Sequence, residues 1–175
     1  MVIRRKWPLV VLLVFVLLPL PLLALTPLSH SLYFNWSGSE PIGVYRAAAA
    51  GALATGDMVV MRVPEAAGAY AFGRGWLREG ELLLKTVYAL PGEAYSVTDS
   101  GVFTSRAAIQ GMLAQDGTGQ LLPRLRGEFT VREAHFLPLA TGGLNSFDGR
   151  YFGDVPMELI VCKVVPVITW RRGSI

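Results

Sequence analysis

Two hydropathy patterns divide the chain. The stretch Pro8–Leu25, PLVVLLVFVLLPLPLLAL, runs for 18 residues without a charged or strongly polar side chain. As a helix it would span about 27 Å, nearly the hydrocarbon thickness of a bilayer. Pro19 and Pro21 would break a soluble helix but are tolerated in a membrane one, and Thr26-Pro27 marks the exit. Further on, short apolar runs with two-residue alternation are separated by Gly, Pro and Asp, the pattern of strands. It predicts strands at Gly43–Ala47, Asp57–Val63, Leu82–Ala89, Ala94–Thr98, Val102–Ser105, Glu128–Val131, His135–Leu139 and Leu159–Val167. Thr55-Gly56-Asp57 reads as a turn, and Asp99-Ser100-Gly101 as the corner of a hairpin. Glu65–Glu79 reads as a surface loop with room for one short helix, Ala107–Leu113 as a helical turn, and Ala47–Ala54 as a small-residue linker. The organisation predicted is an anchor at 1–28 and a mainly β domain at 29–175.

Charge orients the anchor. Of the 16 Lys and Arg, three are Arg4, Arg5 and Lys6, which leaves 13 to balance the 13 Asp and Glu of the remainder. The pI near 9.2 is therefore an N-terminal effect, and a basic nucleic-acid face on the domain is not expected. A basic start before an apolar run also fits a cleaved signal peptide. The run is longer than a usual h-region, however, and Leu23-Ala24-Leu25 lacks a small-x-small cleavage site, so a retained single-pass anchor is expected. By the positive-inside rule its N-terminus is cytoplasmic, which exports the remainder and puts the domain outside the inner membrane.

One cysteine, Cys162, and two histidines, His30 and His135, exclude an intrachain disulfide and supply no zinc ligand set. Neither a metal nor a cofactor is expected, and Cys162 inside Leu159-Ile160-Val161-Cys162 reads as a small buried hydrophobe.

The domain holds just two lysines, Lys85 and Lys163. Lys85 shares its strand face with Leu83, Val87 and Ala89, and Lys163 with Val161 and Val165. A lysine on a buried face loses its proton more easily and becomes a general base, whereas one at a sheet edge reaches out to water. Lys85 is set apart by the turn Leu90-Pro91-Gly92-Glu93 that ends its strand. Candidate nucleophiles lie in Asn35-Trp36-Ser37-Gly38-Ser39-Glu40-Pro41, where a flexible Gly38 and a rigid Pro41 suit a serine on an exposed turn with backbone N–H groups facing an oxyanion. The same segment, with Tyr33 and Trp36, also fits an aromatic loop at a membrane surface. In Asn145-Ser146-Phe147-Asp148-Gly149-Arg150-Tyr151-Phe152-Gly153, the Ser-x-Asp-x-Arg spacing suits either a self-pinned loop or a loop that orients a neighbouring site.

Taken in order behind one basic-flanked anchor, Ser37-Gly38-Ser39-x-Pro41, Leu84-Lys85-x-Val87-x-Ala89-Leu90-Pro91-Gly92 and Ser146-x-Asp148-x-Arg150-Tyr151-Phe152-Gly153 resemble the type I signal peptidases. Ser39-x-Pro41-x-Gly43-x-Tyr45 and Arg74-Gly75-Trp76-Leu77 ahead of Leu82-Leu83-Leu84-Lys85 are most similar to the TraF-like conjugative-transfer branch. The resemblance implies a signal-peptidase-like β domain in which Ser39 is the nucleophile and Lys85 the general base. It implies that Ser37 joins the Ser39 N–H in the oxyanion hole, that Ser146 orients the amine, and that Asp148 and Arg150 support that loop. Gly149 stands where the family commonly has serine, and Glu93 where it commonly has aspartate.

The activity implied is that of a serine endopeptidase cleaving exported precursors beside the bilayer. A conjugative pilin is the expected client, with the acyl-enzyme resolved by water or, to give a cyclic product, by the substrate's own amine. A non-catalytic anchored β module of the transfer machinery is the alternative from another class. A self-cleaving Ser/Lys regulator would carry a DNA-binding domain in place of an anchor. Oligomeric state is not legible.

Overall fold

The alternating runs pair into two antiparallel sheets. The computed structural model describes residues 31–49, 51–143 and 146–170. The apolar span Pro8–Leu25 with Arg4, Arg5 and Lys6 lies outside the described residues, as do His30 and Asn145. Among the described residues no helix is long and apolar enough to cross a membrane. The chain divides into two units, Met1–Tyr33 and Phe34–Ile175, and the second holds every element from β2 onward.

The strands are β1 (Leu32–Asn35), β2 (Ile42–Ala47), β3 (Met58–Arg62), β4 (Leu82–Ala89), β5 (Ala94–Thr98), β6 (Gly101–Thr104), β7 (Ala108–Gln110), β8 (Gly127–Thr130), β9 (His135–Leu139), β10 (Val155–Pro156) and β11 (Ile160–Trp170). Helix α1 (Glu65–Gly73) follows β3, and a single turn, α2 (Gly149–Phe152), precedes β10. One sheet has the order β1-β2-β11-β3-β4-β9-β10 and the other β7-β6-β5-β8. The eight strands read from alternation are present within a few residues at their ends. The hairpin at Asp99-Ser100-Gly101 is formed by β5 and β6, with Thr98 opposite Gly101.

One element departs from the reading. Ala107–Leu113, expected as a helical turn, contains β7, because β6 offers a free edge and Ile109 pairs with Val102. Gly101 permits that approach: a Cβ there would sit 2.0 Å from the Ile109 carbonyl oxygen. Tertiary pairing overrides local preference. Within Glu65–Glu79 the one short helix that the reading allowed forms at Glu65–Gly73, with Ala67, Gly68 and Ala71 buried. Its small residues allow close packing where no broad apolar stripe exists.

Strands β4 and β9 serve two hydrophobic cores. Ala89, Leu137 and Leu139 join Tyr95, Val97, Val102 and Val131 in one, while Val87 and Phe136 join Val59, Met61 and Val155 in the other. The β4–β9 register slips between Val87 and Ala89, so one strand feeds both cores. Lys85 lies just before that slip.

Candidate active site

The serine turn is built by Asn35 at the end of β1. Its side-chain amide donates to the carbonyl oxygens of Ser37, Glu40 and Pro41 at 3.1, 3.0 and 3.1 Å. Its Oδ1 accepts from the Ser37 N–H at 3.1 Å and the Ser37 hydroxyl at 2.7 Å. Beyond the turn the Tyr45 hydroxyl donates to the Pro41 carbonyl. Gly43, at φ +152°, lies where a Cβ would meet the Ile168 carbonyl oxygen at 2.1 Å. The spacing Ser39-x-Pro41-x-Gly43-x-Tyr45 thus has a local cause in a closed turn laid tightly against β11.

Ser37 Oγ and Ser39 Oγ are 2.8 Å apart. A hydroxyl has one proton, and that of Ser37 goes to Asn35, so Ser39 donates to Ser37. Ser37 is exposed and Ser39 half-buried. The Gly142 N–H donates to the Ser39 carbonyl at 2.7 Å. Only a glycine fits there, since a Cβ on Gly142 would lie 2.3 Å from the Gly38 oxygen.

Lys85 is 3% exposed, and its amine donates to Ser146 Oγ at 2.8 Å. Burial pushes its pKa below the ordinary lysine value, against the attraction of Asp148 and Glu40. Lys163 is different. The β11 face it was expected to share with Val161 and Val165 is open, those valines being 43% and 40% exposed. Its amine pairs with Asp57 at 2.7 Å and donates to the Ala52 carbonyl at 3.1 Å. Of the two settings open to each lysine, Lys85 takes the buried one and Lys163 the water-reaching one, since among the described residues the outer face of β11 is left open there. Cys162 is half-buried, not fully buried as its apolar run implied.

The Ser-x-Asp-x-Arg loop pins itself and also holds the lysine. Asp148 and Arg150 are both 0% exposed. Asp148 caps α2 by accepting the Arg150 N–H at 3.1 Å and receives the guanidinium in a two-point pair, Nε at 2.8 Å and Nη2 at 2.8 Å. That fork geometry holds a buried ion pair in register. Asp148 also accepts the Ala140 N–H at 3.0 Å, and Arg150 donates to the Gly111 and Gly143 carbonyls at 3.2 Å each. Phe147, between Ser146 and Asp148, packs against Trp76 and Tyr151 at 5.3 Å and against Phe152 and Tyr70 at 5.7 and 6.0 Å. The segment Glu65–Glu79 thereby braces the Ser146 loop.

The two departures from the family pattern have local accounts. A Cβ on Gly149 would lie 2.7 Å from the Pro138 oxygen and 2.8 Å from Leu137 Cδ1. Glu93 closes its own turn, accepting the Leu90 N–H at 2.8 Å, and pairs with Arg106 at 2.8 Å.

The fold therefore gathers Ser37 and Ser39 on one turn, and Lys85, Ser146, Asp148 and Arg150 in a buried network. Among the described residues no hydrogen bond joins Ser39 Oγ to Lys85 Nζ, the two being engaged by Ser37 and Ser146 instead. Among the described residues no group of three or more His, Cys, Asp or Glu is placed to hold a metal. The sequence reading gave no role to Asn35 or Glu40. Asn35 resembles any loop asparagine. Glu40 carried one signal, being the first acidic residue of the chain, directly after the candidate nucleophile.

Residues 5–170 match the family model described as signal peptidase, peptidase S26. The chain is 36% identical over 147 residues to the conjugal transfer protein TraF of Agrobacterium tumefaciens, covering 78% of this chain and 82% of that one. It is 30% identical over 147 residues to a plasmid transfer protein TraF of Escherichia coli, with coverage of 78% and 82%. A signal peptidase I from Enterococcus faecalis superposes with a TM-score of 0.41 at 16% identity, over 67% of this chain and 100% of that one. With a match across nearly its whole length and TraF relatives at this identity, the chain belongs to the peptidase S26 signal peptidase family, in its TraF-like branch.

Proposed function

We propose that the chain is a membrane-anchored serine endopeptidase in which Ser39 attacks the scissile carbonyl and Lys85 is the general base. The observation that carries this reading is the Lys85 amine, buried at 3% exposure and hydrogen-bonded to a neutral hydroxyl, Ser146, at 2.8 Å. A desolvated amine without a carboxylate in hydrogen-bond contact is set up to be neutral, with a lone pair for a proton. Catalytic hydrogen bonds are often unformed before substrate binds, and in the proposed mechanism Ser39 gives up its bond to Ser37 for one to Lys85.

In the first step Lys85 takes the Ser39 proton as Oγ bonds to the carbonyl carbon. The oxyanion faces the Ser39 N–H and the Ser37 hydroxyl, which turns away from Asn35 to donate. Collapse breaks the C–N bond, and the Lys85 ammonium returns its proton to the leaving amine. Water then releases a shortened linear product, or the substrate's own amine releases a cyclic one.

Several features support a client delivered in a membrane. Arg4, Arg5 and Lys6 before Pro8–Leu25 fit a retained inner-membrane anchor with its N-terminus cytoplasmic and the domain periplasmic. Phe34 and Trp36 are 61% and 77% exposed, and Ile168 and Trp170 on β11 are 64% and 53% exposed. Such apolar surface fits contact with lipid. The relatives' names, conjugal and plasmid transfer proteins, support an exported conjugation subunit such as pilin as the substrate.

The test is co-expression with a pilin-type precursor of the same element, read by intact mass. The proposal expects a truncated product, lighter by one further water if the ends are joined. Unprocessed precursor with a proven substrate would instead support a non-catalytic anchored module.

A further inference from the structure

The residue after the nucleophile is a buried acid. Glu40 is 1% exposed, and a carboxylate taken out of water needs donors or a countercharge. It finds donors on two other segments. Thr86 Oγ1 donates to Oε1 at 2.8 Å, the Thr141 N–H donates to the same oxygen at 3.4 Å, and Thr141 Oγ1 donates to Oε2 at 2.5 Å. Thr86 follows Lys85 on β4. Thr141 precedes Gly142, whose N–H holds the Ser39 carbonyl. One side chain thus ties the serine turn to the lysine strand and to the corner that clamps the serine.

Charge adds a second role. Lys85 is attracted by two carboxylates, Asp148 and Glu40, and repelled by Arg150. Asp148 is already engaged in its two-point pair with Arg150. Among the described residues no arginine pairs with Glu40. The other titratable groups that feel Glu40 are Tyr45 on β2 and Tyr88 on β4, each pushed above the ordinary tyrosine value by burial first and by Glu40 second, with Asp148 also acting on Tyr88. Both phenols are uncharged through the neutral range, so Glu40 has Lys85 as its electrostatic partner.

We propose that Glu40 is a positioning residue of the dyad: its buried carboxylate locks the Ser39 turn onto Thr86 and Thr141 and is the counterion of the Lys85 ammonium. This rests on the peptidase reading above. When Lys85 takes the Ser39 proton it becomes a cation in a dry site, and an anion already in place stabilises it without reorganisation. Glu40→Gln keeps the shape and removes the charge. The ammonium then loses stabilisation, so Lys85 gives up its proton at lower pH and proton transfer from Ser39 becomes less favourable.

The experiment is a titration of the lysine amines by NMR on the full chain in detergent micelles. Its three lysines are Lys6, Lys85 and Lys163, and Lys163→Arg assigns the spectrum. In Glu40→Gln the Lys85 midpoint falls by about one pH unit, a tenfold change in proton affinity, while Lys163 does not move. In Thr141→Val, which keeps the charge, the midpoint does not fall, but kcat on the precursor drops with KM unchanged. An unmoved Lys85 midpoint in folded Glu40→Gln overturns the proposal. Should that variant fail to fold, the wild-type Lys85 signal must itself inflect as Glu40 is protonated, above the ordinary carboxylate range because burial raises it. A signal without that inflection overturns the proposal equally. The titration does not depend on cleavage, so a chain that titrates this way yet processes nothing refutes the peptidase reading and leaves the pairing standing.

Discussion

The Lys85 amine and the Ser146 hydroxyl, 61 positions apart in sequence, meet at 2.8 Å in the interior of the domain. The bond directs one amine hydrogen and so fixes where the nitrogen lone pair points. Ser146→Ala removes that fix without touching substrate, Ser146 being 3% exposed. The predicted result is a fall in kcat of about 10²-fold, the cost of a reacting group out of place by about 1 Å, with little change in KM. Steady-state kinetics on a peptide or precursor substrate check it.

Burial of Lys85 predicts the direction of the pH dependence. In the proposed mechanism the neutral amine is the active form, and burial holds its pKa below the ordinary lysine value, so kcat/KM is predicted to rise with pH and level off before the free-lysine range. Stability carries the same sign. Between the lowered folded value and the ordinary lysine value the unfolded chain binds more protons, so wild-type stability increases as pH rises through that window. Lys85→Met has no such group, and its stability relative to wild type declines over the same window. Thermal melts of the two proteins across pH measure this.

Asp148 and Arg150 form an ion pair with both side chains at 0% exposure. Asp148→Asn leaves a buried guanidinium without its countercharge, which costs about 3–5 kcal/mol. The variant is predicted to melt well below wild type. Double replacement by apolar residues recovers part of that loss while activity stays low, because the loop carrying Ser146 no longer has its two-point anchor.

Gly149→Ser restores the residue common in the family and is predicted to destabilise this chain. The new Cβ would lie 2.7 Å from the Pro138 carbonyl oxygen, a backbone atom that cannot swing aside. Overpacking of this kind costs about 1–3 kcal/mol. A lowered melting temperature supports the account, whereas an unchanged one means that β9 moves to make room.

The strand framework was legible because period-two alternation and turn residues are local signals. Asp99-Ser100-Gly101 is an example, since the corner residues alone specify the β5–β6 hairpin. β7 was not legible, because it exists only through its pairing with β6. The same contrast separates the lysines. Alternation placed Lys85 and Lys163 alike, yet whether a strand face is covered depends on what packs over it, and the outer face of β11 is open. Asn35 and Glu40 were hidden for a related reason. Their roles lie in bonds to backbone groups and to Thr86 and Thr141, none of which leaves a spacing to read.

The proposed pairing of Ser39 with Lys85 is put to the test by one comparison. Processing of a co-expressed precursor is measured by intact mass for wild type, Ser39→Ala, Lys85→Ala and Lys163→Arg at equal protein levels. Wild type and Lys163→Arg, whose salt bridge to Asp57 is partly exposed, are expected to process the precursor, and Ser39→Ala and Lys85→Ala to leave it intact. Processing by Lys85→Ala at the wild-type rate would show that Lys85 is not the base.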